Sequence, residues 1–182
     1  KAHSEFQPSA DHFKMEPDMS GGSGLIELVT GAMPYRNARI VIIKMLGWIR
    51  EHGYTTDRAS IHLNMSFDKK YLEDPMMVSK MNTLKFILAF NEKQVYKFFP
   101  NRENSVYAKS IKFVMPKHEA AHFSAEHVNP MNFVFPDTKY YGVNFLKKEK
   151  NYLEFRYIGG KDYEERQDDI LYMADRFILQ LF

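Results

Sequence analysis

The chain has no cysteine among its 182 residues. That excludes a disulfide scaffold, a thiolate zinc site and a thiol nucleophile. A chain of this length can bury a sizeable core without such staples. There is also no excess of one charge: 25 Lys and Arg face 23 Asp and Glu, a formal net charge of +2. That balance argues against a dedicated nucleic-acid binder and leaves room only for a local basic patch. No run approaches the roughly 18–20 apolar residues a membrane helix needs. The start, Lys1-Ala2-His3-Ser4-Glu5-Phe6, has no apolar centre like that of a signal peptide. The expectations are therefore no membrane partner and a cytoplasmic location. An initiator methionine is missing too, and the expectation is a domain incomplete at its N-terminal side. Gly21-Gly22-Ser23-Gly24 lacks the lysine and spacing of a phosphate-binding P-loop and reads as a turn. No Gly-Xaa-Ser-Xaa-Gly elbow is present for a hydrolase.

What is present points to a folded α+β chain. Apolar residues make up 45%, which rules out global disorder. Residues 1–23 are polar and carry Pro8, Pro17, Gly21 and Gly22, and read as a loop-rich leading segment. Gly24–Thr30 reads as a short buried strand. A helix is expected from near Pro34 to Gly53, with Pro at its first turn and Gly just past its end. Residues 59–67 alternate strictly, with Ile61, Leu63, Met65 and Phe67 on one face and Ser60, His62, Asn64 and Ser66 on the other. The apolar spacing from Pro75 to about Asn91 fits one helix, and 98–110 reads as a turn-rich loop. Residues 116–138 read as an irregular excursion. Tyr140–Leu146 and Tyr152–Ile158 form an expected antiparallel pair joined by a charged turn at 147–150, and Glu165–Leu181 forms a last helix. No repeat or linker divides the chain, so one domain over 1–182 is expected. The order lacks regular βαβ alternation.

Several polar residues sit where chemistry or plain solvation would each place them. Glu27 lies inside Leu25-Ile26-Glu27-Leu28-Val29. It is either a solvated group on an edge strand or a carboxylate that needs a partner or metal. The row His62, Asn64, Ser66 offers an imidazole, an amide and a hydroxyl side by side. It suits a metal or phosphate oxygens, or simply the wet face of an amphipathic strand. Glu154 and Arg156 share the face opposite Leu153, Phe155 and Tyr157. They can hold a cation and an anion at adjacent points, since magnesium takes oxygen ligands and arginine a phosphate. They are equally a common surface charge pair. Arg102 and Asp18 stand in polar loops, where most such residues are only solvated. His118, His122 and His127 have spacings of four and five, but nearby prolines weaken a helical zinc site. Asp168 and Asp169 at a helix start are accounted for by the helix dipole.

The order of these parts is more specific than any one of them. Asp18-Met-Ser-Gly-Gly-Ser-Gly-Leu-Ile-Glu27, Ser60-Ile-His62-Leu-Asn64-Met-Ser66, Arg102-Glu-Asn-Ser-Val-Tyr-Ala and Tyr152-Leu-Glu154-Phe-Arg156 follow one another in the chain. This series, from about residue 10 to 160, resembles the putative amidoligase family, a branch of the carboxylate–amine ligase superfamily that includes glutamine synthetase and glutamate–cysteine ligase. The resemblance implies a curved, mainly antiparallel sheet with helices packed on one face, and Mg-ATP bound on the concave side. It implies that Glu27, His62 and Glu154 are metal ligands. It further implies that His62, Asn64, Ser66, Arg102 and Arg156 line the nucleotide, with Arg102 and Arg156 on phosphate, and that Asp18 lies near the metals or the incoming amine. The implied reaction is amide formation through an acyl phosphate. Its substrates are a small-molecule or peptide carboxylate and an amine, and its cofactors ATP and Mg2+. Two departures stand out. The family's early Glu-Xaa-Glu strand has no counterpart here, since Glu5 is isolated and Glu16 only precedes the aspartate motif. The family's second strand histidine is replaced by Asn64. The alternative reading is a non-catalytic structural or assembly protein that reuses the fold, as in a phage or secreted complex. Eleven Met, fifteen Phe and eleven Tyr supply adhesive surface for such contacts or for a homo-oligomer.

Overall fold

The computed structural model describes residues 13–18, 24–67, 76–114 and 138–181. The chain is α+β, with two small antiparallel sheets and several helices among the described residues. It divides into two units, one from Lys1–Ala59 and Lys161–Leu171, the other from Ser60–Gly160 and Tyr172–Phe182.

In the first unit, β1 (Phe13–Pro17) pairs antiparallel with β2 (Ile26–Thr30). The strand at 13–17 falls inside the segment expected to be loop. Its alternation of Phe13, Met15 and Pro17 with Lys14 and Glu16 is a five-residue signal, easily outweighed by the flanking Pro and Gly. The expected buried strand is β2, but it is only half-covered, with Ile26, Glu27 and Thr30 exposed. A hairpin of two strands offers each only one neighbour, so it cannot bury both faces. Helix α1 (Tyr35–His52) runs where expected. Pro34 stands just before it, and the N–H of Gly53 closes it on Ile49 O at 2.8 Å. It buries Ile42 and Leu46. A 3-10 turn at Tyr163–Glu165 is tied down by Thr55, as its N–H and hydroxyl donate to the buried Glu164 carboxylate. Those bonds outweigh the cost of burial and hold Glu164 below the usual carboxylate range.

In the second unit, β3 (Ser60–Met65), β5 (Leu153–Gly159) and β4 (Val143–Asn144) form an antiparallel sheet in the order β3-β5-β4. All seven residues of the central strand β5 are buried. One face is apolar and aromatic. Phe155 stacks on Phe177 with ring centroids 4.5 Å apart, and Tyr157 stacks on Phe90 at 5.5 Å. Phe86 meets Phe145 edge-on at 5.7 Å. The helix expected over 75–91 is two helices, α2 (Met77–Lys80) and α3 (Thr83–Ala89). Asn82 breaks them, because its side chain accepts from Lys85 N at 3.0 Å and starts a new helix. A further helix, α4 (Glu92–Phe98), is capped in the same way by Asn91 and enters the stretch expected to be loop. A 3-10 turn follows at Pro100–Arg102 and another at Ile111–Val114. The expected charged turn at 147–150 belongs to a 3-10 helix, Phe145–Lys150, which shortens β4 to two residues. Helix α5 (Gln167–Leu179) starts two residues later than expected, after the 3-10 turn.

Candidate functional site

The second unit brings His62, Glu154 and Arg156 together on the face of its sheet opposite the aromatic core. Strand alternation does this directly. With Leu153, Phe155 and Tyr157 committed to the core, Glu154 must point the other way. The register sets Asn64 on β3 and Asn144 on β4 opposite Glu154, one on each side. Between Ile61 and Leu63 the register slips, so that β5 carries one more residue than β3. His62 stands at this irregularity, a place where sheets re-aim side chains.

Glu154 is the centre of the group. Its side chain is only 11% exposed, and that of Arg156 is 9% exposed, so this is not the solvated surface pair that the spacing also allowed. Arg156 Nη1 lies 3.4 Å from both carboxylate oxygens. Asn144 Nδ2 donates to Oε2. His62 Nδ1 stands 3.4 Å from Oε1, and its Nε2 is 3.1 Å from Ser60 Oγ. The imidazole is about one-third exposed, so the cluster reaches solvent on the β3 side.

Arg156 is held from two directions, because its Nε donates to Tyr107 O at 3.2 Å. Arg102 lies behind it. Its side chain is buried, and Nη2 donates to the Arg156 carbonyl at 2.9 Å. Among the described residues Arg102 has no carboxylate partner, and nothing accepts from its Nε. Burial, and then the neighbouring Arg156 charge, lower its pKa to about 10. A second guanidinium beside an uncompensated one is costly unless an anion completes it.

The other expected residues have different surroundings. Asn64 and Ser66 are exposed residues of the β3 region. The Ser66 hydroxyl donates to Asn151 O, which ties down the end of the strand. Asn151 has φ 63° and accepts from Val78 N and Ser79 N, so this corner is a structural junction. Asp18 and Glu27 belong to the first unit. Asp18 N donates to Leu25 O at 2.9 Å at the end of the hairpin where the two strands connect. Glu27 is exposed on β2, directly across from Glu16 on β1. Ser20, Glu5, the Gly21-Gly22-Ser23 part of the glycine run and the three histidines His118, His122 and His127 lie outside the described residues. Asn144 is the member that sequence reasoning missed. A polar residue between Val143 and Phe145 in an expected strand was the available signal.

Among the described residues, no group of three His, Asp or Glu stands ready for a metal. No helix among them is long and apolar enough to cross a membrane. No family model matches the chain, and neither does any curated protein or solved structure.

Proposed function

We propose that the polar face of the β3-β5-β4 sheet binds Mg-ATP and that the protein is an ATP-dependent carboxylate–amine ligase with a glutamine-synthetase-like fold. The observation that carries this reading is the pairing of Glu154 and His62 with two neighbouring guanidiniums, one buried without a counter-charge among the described residues. It supplies a cation point and an anion point side by side.

The donor set suits magnesium in one specific way. Mg2+ commonly takes one or two carboxylates and completes its shell with waters and phosphate oxygens. Glu154 would be such a ligand in the second unit, and His62 would face a second metal or the nucleotide phosphates. Arg156 would hold phosphate oxygens in a planar fork, and Arg102 would place a second positive charge behind it. Asn64 and Ser66 would border the nucleotide. When bound, Mg-ATP supplies the phosphoryl group that activates a carboxylate. The arginines would neutralise charge gathering on the phosphoryl oxygens. The carboxylate and amine substrates are small molecules or peptide groups.

Calorimetric titration of the full chain with Mg-ATP tests the reading. We expect saturable binding by the parent and loss of it in Glu154→Ala. A parent chain that binds no Mg-ATP overturns it. That outcome would favour the assembly-protein reading, which finds its own support in the exposed Phe13, Met15 and Ile26 of the hairpin.

A further inference from the structure

We infer that Asn144 is a positioning residue for Glu154. The inference rests on the ligase reading for its functional meaning, but it has a readout that needs no nucleotide. Asn144 is almost wholly buried, at 1% exposure, on the two-residue strand β4. The register puts it opposite Glu154, and its Nδ2 donates to Oε2. Its own orientation is fixed from the other end, because Oδ1 accepts from Leu146 N at 3.1 Å as the cap of the Phe145–Lys150 turn. The amide cannot flip without losing both bonds. It therefore always presents a donor, never an acceptor, to Glu154.

The consequence is directional. Oε2 is engaged by the Asn144 amide from β4, and Arg156 Nη1 lies 3.4 Å from both oxygens. His62 approaches Oε1 from β3. The carboxylate is thereby braced across the sheet, with its Oε1 side turned toward the strand that reaches solvent. Partners of this kind set the orientation of a metal-binding carboxylate without touching the ion. The same side chain could instead serve only as a turn cap, and the two roles separate experimentally. Asn144→Ala removes both bonds. Asn144→Asp keeps the acceptor for Leu146 N and removes the donor.

Two measurements on the full chain decide it. The first is binding of Mn2+ with ATP, with Mn2+ as a paramagnetic probe for the magnesium point, read by the loss of free Mn2+ resonance signal. Asn144→Ala should bind roughly 10- to 100-fold more weakly than the parent while still unfolding cooperatively. The second is rotation of the Arg156 guanidinium, followed by 15N NMR at pH 9 without metal or nucleotide. In the parent it should be slow. In both variants it should be fast, because Glu154 is no longer braced. A role as a turn cap alone predicts parent-like rotation in Asn144→Asp, and that result overturns the inference. Parent-like Mn-ATP affinity in a folded Asn144→Ala overturns it as well. If the parent binds no Mn-ATP, the ligase reading falls. The Arg156 rotation then decides the inference about Asn144 alone.

Discussion

Glu92 shows how a single residue can look functional and be structural. Its carboxylate is buried at 3% exposure and accepts from Tyr157 Oη at 2.7 Å, Ile111 N at 2.9 Å and Tyr96 Oη at 3.3 Å, with Ser110 Oγ as a fourth donor. Every donor is part of the scaffold, so the group ties α4 to β5 and to the turn at Ile111. Removing it strands buried donors, and Glu92→Ala should lower stability by roughly 3 kcal/mol. Tyr157→Phe should cost about 1 kcal/mol, since it deletes one bond and leaves the ring in place. Urea unfolding measures both. The tyrosines also fix an alkaline limit. Burial first, then Glu92, pushes Tyr157 and Tyr96 well above the ordinary value of 10, and burial with Glu164 pushes Tyr163 up to about 12. A folded-state pKa above the unfolded one means that the folded chain keeps protons the unfolded chain gives up. The stability is therefore complete below about pH 10 and is lost as pH rises toward the folded values. The urea midpoint should fall as the pH rises from about 10 to 12, and fall less steeply in Tyr157→Phe. At this scale the sequence was informative about type and poor about environment. Alternation assigned Glu154 and Arg156 to the non-core face. It could not say that a central strand would bury them, nor that Asn144 and Tyr107, far apart in the chain, would hold them.

At the scale of elements, the long periodic segments were the legible ones. α1, β3, β5 and most of α5 lie where apolar spacing put them, because each buries a stripe long enough to repeat its period. The misread segments were decided by single side chains or by tertiary neighbours. Asn82 and Asn91 each start a helix with a cap that apolar spacing does not register, and one expected helix became two while a third appeared. Asn82→Ala should cost about 1 kcal/mol by thermal or urea unfolding. Gly142 marks a tight junction between elements. A Cβ there would come within 2.0 Å of the Tyr157 ring, and that ring is fully buried and bonded to Glu92. The Gly142 carbonyl also accepts from Arg156 N at 2.8 Å, and its N–H donates to Lys109 O at 2.8 Å. Neither the ring nor the backbone can move aside without losing these bonds. Gly142→Ala should destabilise by about 3 kcal/mol, more than the same change at Gly47, where the nearest atom is the end of the Arg50 side chain at 3.7 Å. Equal urea midpoints for the two variants would contradict the packing described.

Across the whole molecule, protection from solvent is distributed unevenly, and amide exchange should reveal it. β5 has a strand on each side, all seven residues buried, and an aromatic layer of Phe86, Phe90 and Phe177 against its core face. Its amides open only when the second unit's core opens. The β1–β2 hairpin has two strands, with Phe13, Met15 and Ile26 exposed, and a two-stranded hairpin is marginally stable by itself. Its amides open locally at little cost. Hydrogen–deuterium exchange read by mass spectrometry should therefore show peptides covering 153–159 exchanging last and peptides covering 13–17 and 26–30 exchanging early. Hairpin peptides as slow as those of β5 would mean that the pairing does not set local stability.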